Sequence, residues 1–192
     1  MMKMETALHR SASQEPRATH NLLKKKAQMS KELELLKERR SVRAYTSQPV
    51  EREILEDIVD FARLAATAMN EQPWEFIVVT DKATLRKLPE LTGHAQFIAS
   101  AAACILVLCK PTGHYLEDGS AASEHILLAA HAHGLGACWV AGEKEGYADS
   151  IRALVGAPDE YRLICLIPVG YPAESPVIEK RTLHDVLHWE RY

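Results

Sequence analysis

Two stretches of this chain, residues 74–80 and 101–109, are strand-like in composition yet do not alternate cleanly with polar side chains. A half-solvated strand alternates with period two, whereas a strand covered on both faces reads as a nearly continuous apolar run. The chain is therefore expected to build a doubly covered sheet, and the helical patterns between the strands supply the covering layers.

Those patterns are readable in order. A charged helix carrying Leu22, Met29, Leu33 and Leu36, ordered from about Ser30, ends in Arg39-Arg40-Ser41-Val42-Arg43. After Pro49, the positions Leu55, Ile58, Val59, Ala62 and Ala65 recur at helical spacing, with Glu51 and Glu53 at the end where the helix dipole favours anions. Asp81 can cap a short helix containing Leu85 and Leu88. Asp118 or Ser120 can open the next, whose stripe is Ile126, Leu127 and Ala130 and whose stop is Gly134. Residues 137–141 and 163–169 read as further strands, 150–155 as a short helix, and 182–189 as a final turn or two. The connections are mostly too long for hairpins, so adjacent strands are free to run parallel, and a late strand or tail could pair with another chain.

A length of 192 residues with 47% hydrophobic side chains suits one domain. Residues 1–20 mix Ser, Gln, Glu, Pro and Arg without periodicity, so 1–29 is expected to be a flexible extension and 30–192 the folded unit. With 23 basic and 26 acidic residues, the formal charge of -3 offers no global attraction to nucleic acid or an anionic membrane. The longest apolar run, 97–109, is broken by Ser100 and is too short to span a bilayer. The N-terminal stretch lacks the apolar middle of a secretory signal, and a cytoplasmic location is the expectation. Cys104, Cys109, Cys138 and Cys165 stand singly in apolar surroundings and read as buried reduced thiols. His184 and His188 lie four apart but have no third ligand in range, so no metal site is expected.

Three groups of residues could carry chemistry. In Arg39-Arg40-Ser41-Val42-Arg43, guanidinium forks match phosphate oxygens and the serine adds a neutral donor; Lys180-Arg181 could converge on the same anion. A solvated charged face is the bland reading of that run. Asn70 and Gln72 place two amides in a loop before a strand, where they can donate to and accept from a heteroaromatic ring edge; an Asx-type turn is the bland alternative. Gly134-Leu135-Gly136-Ala137-Cys138-Trp139-Val140-Ala141-Gly142 follows a helix and precedes a strand, the reverse of a dinucleotide fingerprint, with Trp139 in the place of the third glycine.

Taken in order with Ala66-Thr67-Ala68-Met69-Asn70-Glu71-Gln72-Pro73-Trp74 and Pro168-Val169-Gly170-Tyr171-Pro172, these segments resemble the nitroreductase family of flavoproteins. The resemblance spans about residues 32–192. It implies an α+β fold, a three-layer α/β/α sandwich, in a homodimer that exchanges terminal segments and builds FMN sites across the interface. Arg39, Arg40, Ser41 and Arg43 match the segment holding the phosphate, ribityl chain and pyrimidine edge, with Arg43 near N1 and O2. Thr67, Asn70 and Gln72 match a loop that reaches FMN, partly from the partner. Trp139, Val140, Ala141 and Gly142 match the strand end facing the flavin, where a donor from Ala141 or Gly142 would address N5; Lys180 and Arg181 match late phosphate contacts. Ala66 stands where a proline is usual and Thr67 where serine is usual. The short segments between Cys109 and Asp118 and between Gly142 and Ser150 imply a more open or partner-dependent substrate site.

The activity so implied is a two-step flavin cycle, in which NAD(P)H reduces FMN, leaves, and is replaced by a small acceptor such as a nitroaromatic or quinone. The alternative is an FMN-binding carrier or redox sensor without turnover, and a third reading is a flavin-free dimer.

Overall fold

The computed structural model describes residues 31–192, so the expected extension 1–29 lies outside the described residues. The chain divides into two units between Lys37 and Glu38. The described part of the first is most of helix α1 (Lys31–Glu38), whose Leu33 and Leu36 are exposed. The second contains α2 (Arg52–Ala62), β1 (Trp74–Val79), α3 (Lys82–Thr92), β2 (Ala103–Cys109), α4 (Tyr115–Ala132), β3 (Gly136–Ala137), β4 (Val140–Ala141), α5 (Ala148–Leu154) and β5 (Arg162–Gly170). Short 3-10 turns lie at Ala68–Asn70, Gln96–Ser100 and Leu183–Asp185.

The five strands form one sheet in the order β1-β2-β5-β3, with β4 also paired to β5. All of its pairings are antiparallel, which corrects the expectation that neighbours could run parallel. Long connections remove the hairpin constraint but do not impose a crossover. The excursion through α3 leaves the sheet after Val79 and re-enters beside it, since Val79 pairs with Cys104 near the start of β2.

Full burial explains the missing polar alternation. Along β2, Ile105, Val107 and Cys109 face a core shared with Ile58 of α2 and Ala122 and Ile126 of α4. Cys104, Leu106 and Leu108 face a second core with Leu85 and Leu88 of α3 and Ile151 of α5. The result is the α/β/α sandwich implied by the sequence. A register shift between Val107 and Leu108 leaves Ile164 of β5 unmatched, a bulge that also turns Ile164 toward the α2–α4 side.

Local signals set several boundaries. Asp81 caps α3 by accepting from the Thr84 N–H at 2.7 Å. Gly134, at φ 73°, follows the end of α4 as its predicted stop. Helix α4 begins at Tyr115, upstream of both proposed openers, and Asp118 lies within its first turn. The strand expected at 137–141 is two short pieces in one register, Ala137 opposite Val169 and Val140 opposite Leu166. Continuing that register puts Cys138 opposite Pro168, which has no N–H to offer at the interruption. The tail makes one 3-10 turn, Leu183–Asp185, closed by a reciprocal cap between Thr182 and Asp185. Among the described residues no helix is long and apolar enough to cross a membrane.

Candidate functional site

The arginine segment is fixed by backbone before any side chain is considered. Ser41 bridges Ala137 in parallel, and the Val42 N–H donates to the Ala137 carbonyl at 3.0 Å, so residues 39–43 run along the outer side of β3. Gly136 permits this approach: a Cβ there would lie 2.6 Å from Val42 Cγ1. On the other side, the Arg43 and Ala44 N–H groups donate to the Glu174 carboxylate, and Thr46 N–H donates to Tyr171 O at 2.9 Å. Tyr45 is buried, with its hydroxyl donating to Val42 O at 2.7 Å and with Pro168 O within reach of the same proton at 3.2 Å. Burial pushes its phenol far above the ordinary range, so it serves as a pin rather than an acid.

An extended segment sends successive side chains to opposite sides. Arg39, Ser41 and Arg43, on one side of the segment, all act on the Cys138 thiol. Burial raises the Cys138 thiol, while Arg43, a hydrogen bond with Ser41, and Arg39 act to lower it. Arg39 also pairs with Glu124 of α4 at 3.5 Å, and the Arg43 guanidinium stands 5.9 Å from the centre of the Phe97 ring. Arg40 parts from these three. It donates to Arg39 O and borders a separate cavity of about 240 Å³ with Val42, His131 and Glu174.

The amide loop has its own anchor. Asp118, 4% exposed, accepts from the Thr67 hydroxyl at 3.0 Å and from the Ala68 N–H at 3.0 Å. Thr67 Oγ1 in turn accepts from the Gln72 N–H at 3.1 Å. Within this closed loop Met69, Asn70 and Gln72 take positive φ of 48°, 59° and 49°. Such values cost non-glycine residues energy that surrounding contacts must offset. The side chains of Asn70 and Gln72 are exposed, whereas Trp74 is buried in the core on the α2–α4 side.

Beyond the Cys138–Trp139 interruption, β4 pairs only with β5, so one of its edges faces away from the sheet. Gly142 passes so close to β5 that a Cβ would lie 2.7 Å from Leu163 O, which fixes this strand end by packing. Tyr147 donates to Ala141 O at 2.6 Å. Trp139 is partly buried against the α2–α4 core. One residue past Gly142, Glu143 accepts from the Tyr115 hydroxyl at 2.6 Å, and this hydrogen bond raises the Tyr115 phenol.

Lys180 and Arg181 are not joined to this cluster within one chain. Both are exposed, and Arg181 donates to Asp185 O within its own tail. That tail leaves Val177, Leu183, Val186, Trp189 and Tyr192 more than half exposed. Among the described residues no three His, Cys, Asp or Glu side chains are grouped to hold a metal.

Sequence reasoning missed Asp118, Glu174, Phe97 and Cys138 as neighbours of the site. Asp118 carried a signal, because Asp118, Ala122, Ile126 and Ala130 are spaced by four and share one face of α4; a carboxylate aligned with a buried stripe needs a partner. Glu174, contributed from beyond β5, carried none.

Fold and site define a three-layer α/β/α protein that collects guanidinium and hydroxyl groups at one sheet edge. A model of the nitroreductase family matches residues 36–111 and 114–171, and the chain belongs to that family. A Methanothermobacter thermautotrophicus protein, provisionally named an NADH dehydrogenase/NAD(P)H nitroreductase, is 37% identical over 83% of this chain and 87% of its own length. A similarly named crystal structure from Bacteroides thetaiotaomicron superposes with a TM-score of 0.82 at 30% identity, covering 86% of this chain and all (100%) of that one. A Desulfovibrio desulfuricans protein, provisionally named a nitroreductase and solved in complex with FMN, gives a TM-score of 0.78 at 27% identity, over 86% of this chain and 99% of that chain.

Proposed function

We propose that this enzyme is an FMN-dependent oxidoreductase that passes reducing equivalents from NAD(P)H to a small organic acceptor such as a nitroaromatic or quinone. The observation that carries the reading is the pairing of the Arg39–Arg43 segment with β3, through the Ser41–Ala137 bridge and the Val42 N–H bond to Ala137 O, which sets Arg39, Ser41 and Arg43 at the sheet edge next to β4. This donor set suits FMN. Two guanidinium groups and a hydroxyl match a phosphate and the oxygen-rich edge of a flavin, and a strand edge offers backbone donors and acceptors to its ring.

In this reading Arg39 and Ser41 bind the phosphate and ribityl chain, and Arg43 faces the pyrimidine edge. Asn70 and Gln72 would hold the ring edge, and Trp139, Val140, Ala141 and Gly142 would supply the strand-end contacts to it. Bound FMN supplies the hydride chemistry at N5. Arg43 would stabilise negative charge on the pyrimidine edge of the bound flavin, an electrostatic task requiring no proton transfer. Arg40, turned toward its own cavity, is assigned a supporting role at the segment's backbone rather than a direct place at the ring.

Lys180 and Arg181 belong in this scheme to the phosphate of a second copy's site. Two features support a homodimer with exchanged tails: the exposed apolar side chains after Gly170 and the edge of β1, which pairs only with β2. An exposed strand edge and apolar tail are liabilities that a partner removes. The reading is tested by titrating apo protein with FMN and following quenching of flavin fluorescence. Saturation at one FMN per chain is expected. Absence of saturable binding would remove the cofactor from the account.

A further inference from the structure

The buried carboxylate of Asp118 has no evident place in hydride chemistry, and its cost calls for an explanation. It is 4% exposed, and among the described residues no cation pairs with it; its partners are two neutral donors, the Thr67 hydroxyl and the Ala68 N–H. Burying a carboxylate without a cation is expensive. Its position in the first turn of the 18-residue helix α4 offsets part of this cost, because the positive end of the helix dipole favours an anion there. Neutral side chains could fill the same space more cheaply.

What the carboxylate does locally is close a loop. Its two oxygens take Thr67 Oγ1 and Ala68 N, each at 3.0 Å. The Thr67 oxygen, fixed by donating its proton, then accepts the Gln72 N–H at 3.1 Å. This chain of bonds ties residue 72 back to residue 67 across three left-handed residues, Met69, Asn70 and Gln72. Their backbone does not hold such values unaided. The loop is held from inside, and the Asn70 and Gln72 side chains are left exposed outside it.

Resting on the FMN reading above, we propose that Asp118 is the positioning residue of the amide loop. Through Thr67 it sets the left-handed backbone that presents Asn70 and Gln72 to the cofactor ring. Thr67 is then a clamp rather than a cofactor donor, since its one hydroxyl proton is committed to Asp118. The tolerance of threonine at this position follows, because the clamp requires only the hydroxyl.

The test compares Asp118→Ala, Thr67→Val, the double variant and Thr67→Ser with the parent. Two readouts are used: amide hydrogen exchange in the apo protein, and FMN affinity by fluorescence titration. Thr67→Val is expected to speed exchange at Gln72, and Asp118→Ala at Ala68 and, through the freed Thr67 hydroxyl, at Gln72, while α4 and the sheet stay protected. Each is also expected to weaken FMN binding by about ten-fold, the size of one charge-assisted hydrogen bond. The double variant is expected to bind no more weakly than the worse single, since both break one chain of bonds, and Thr67→Ser is expected to match the parent. Unchanged exchange at Gln72 in Thr67→Val, or losses that multiply in the double variant, would overturn the proposal. A purely structural role for Asp118 predicts faster exchange throughout α4 and no loss of affinity per folded molecule. If the parent itself fails to bind FMN, the cofactor reading fails, and the exchange data still decide whether the clamp exists.

Discussion

Replacing Gly136 with alanine places a probe where the arginine segment meets the sheet. A Cβ at this position would lie 2.6 Å from Val42 Cγ1, 2.7 Å from Val42 Cβ and 2.9 Å from Val42 Cγ2. Carbon atoms in contact prefer about 3.5–4.0 Å, so roughly 1 Å must be found. Rotating Val42 about χ1 does not find it, because its Cβ is fixed to the backbone and all three of its side-chain carbons crowd the site. The strand or residues 41–43 must therefore move, stretching the 3.0 Å bond from Val42 N–H to Ala137 O. Overpacking of this kind costs about 1–3 kcal/mol. Gly136 has no positive φ, so alanine also removes unfolded-state freedom, which offsets about 0.4–1 kcal/mol. A net loss of about 1–2 kcal/mol is expected in urea unfolding of the apo protein, together with weaker FMN binding as Ser41 and its neighbours shift. Gly146→Ala is the control, since nothing lies within 4 Å of a Cβ there; its stability should stay within about 0.5 kcal/mol of the parent. A Gly136→Ala variant with parental stability and parental FMN affinity would refute the claim that this contact positions the site.

Other outcomes follow from the same geometry. Arg43→Ala, saturated with FMN, is expected to lower the flavin midpoint potential by tens of millivolts, with Arg43→Lys intermediate; potentiometric titration at one pH and salt concentration measures it. Arg181→Ala should weaken FMN binding by about 1.5–3 kcal/mol while leaving the potential of bound flavin unchanged, as a phosphate contact remote from the ring would. Truncation after Pro172 should convert a dimer to monomers in sedimentation velocity, and a truncated chain that remains dimeric would remove the tail from the interface. Burial pushes the Cys165 thiol up to about 12. The unfolded chain therefore releases this proton first, from roughly pH 8.5. The stabilisation is complete below that pH and is lost as pH rises toward the folded value, at up to about 1.4 kcal/mol per pH unit. Cys165→Ala should show a shallower decline in urea stability over this alkaline range.

The layers of the fold were legible because burial writes itself into composition. The unbroken apolar run of β2 announces two cores, and Asp81 and Gly134 mark helix ends through local hydrogen bonding and backbone conformation. Strand direction was not legible, because it depends on where α3 returns the chain, and neither periodicity nor connection length records that. The break between β3 and β4 requires knowing that Cys138 stands opposite Pro168, a matter of register rather than local sequence. At the site, the clustering of Arg39, Ser41 and Arg43 follows from extended alternation, and the same alternation separates Arg40 from them. Glu174 and Phe97 reach the segment through tertiary contacts and left no local sign. Lys180 and Arg181 lie on a tail that one chain leaves exposed, so their meeting with the arginine segment is a question for two chains.

The central claim is that the site supports flavin redox turnover as well as flavin binding, and anaerobic stopped-flow mixing of the FMN-loaded protein with NADH or NADPH tests it most directly. The account predicts rapid loss of oxidised-flavin absorbance with at least one nicotinamide, followed by its return when a nitroaromatic or quinone is added. Bound FMN that keeps its oxidised spectrum in the presence of both nicotinamides would contradict it and leave a carrier or sensor in its place.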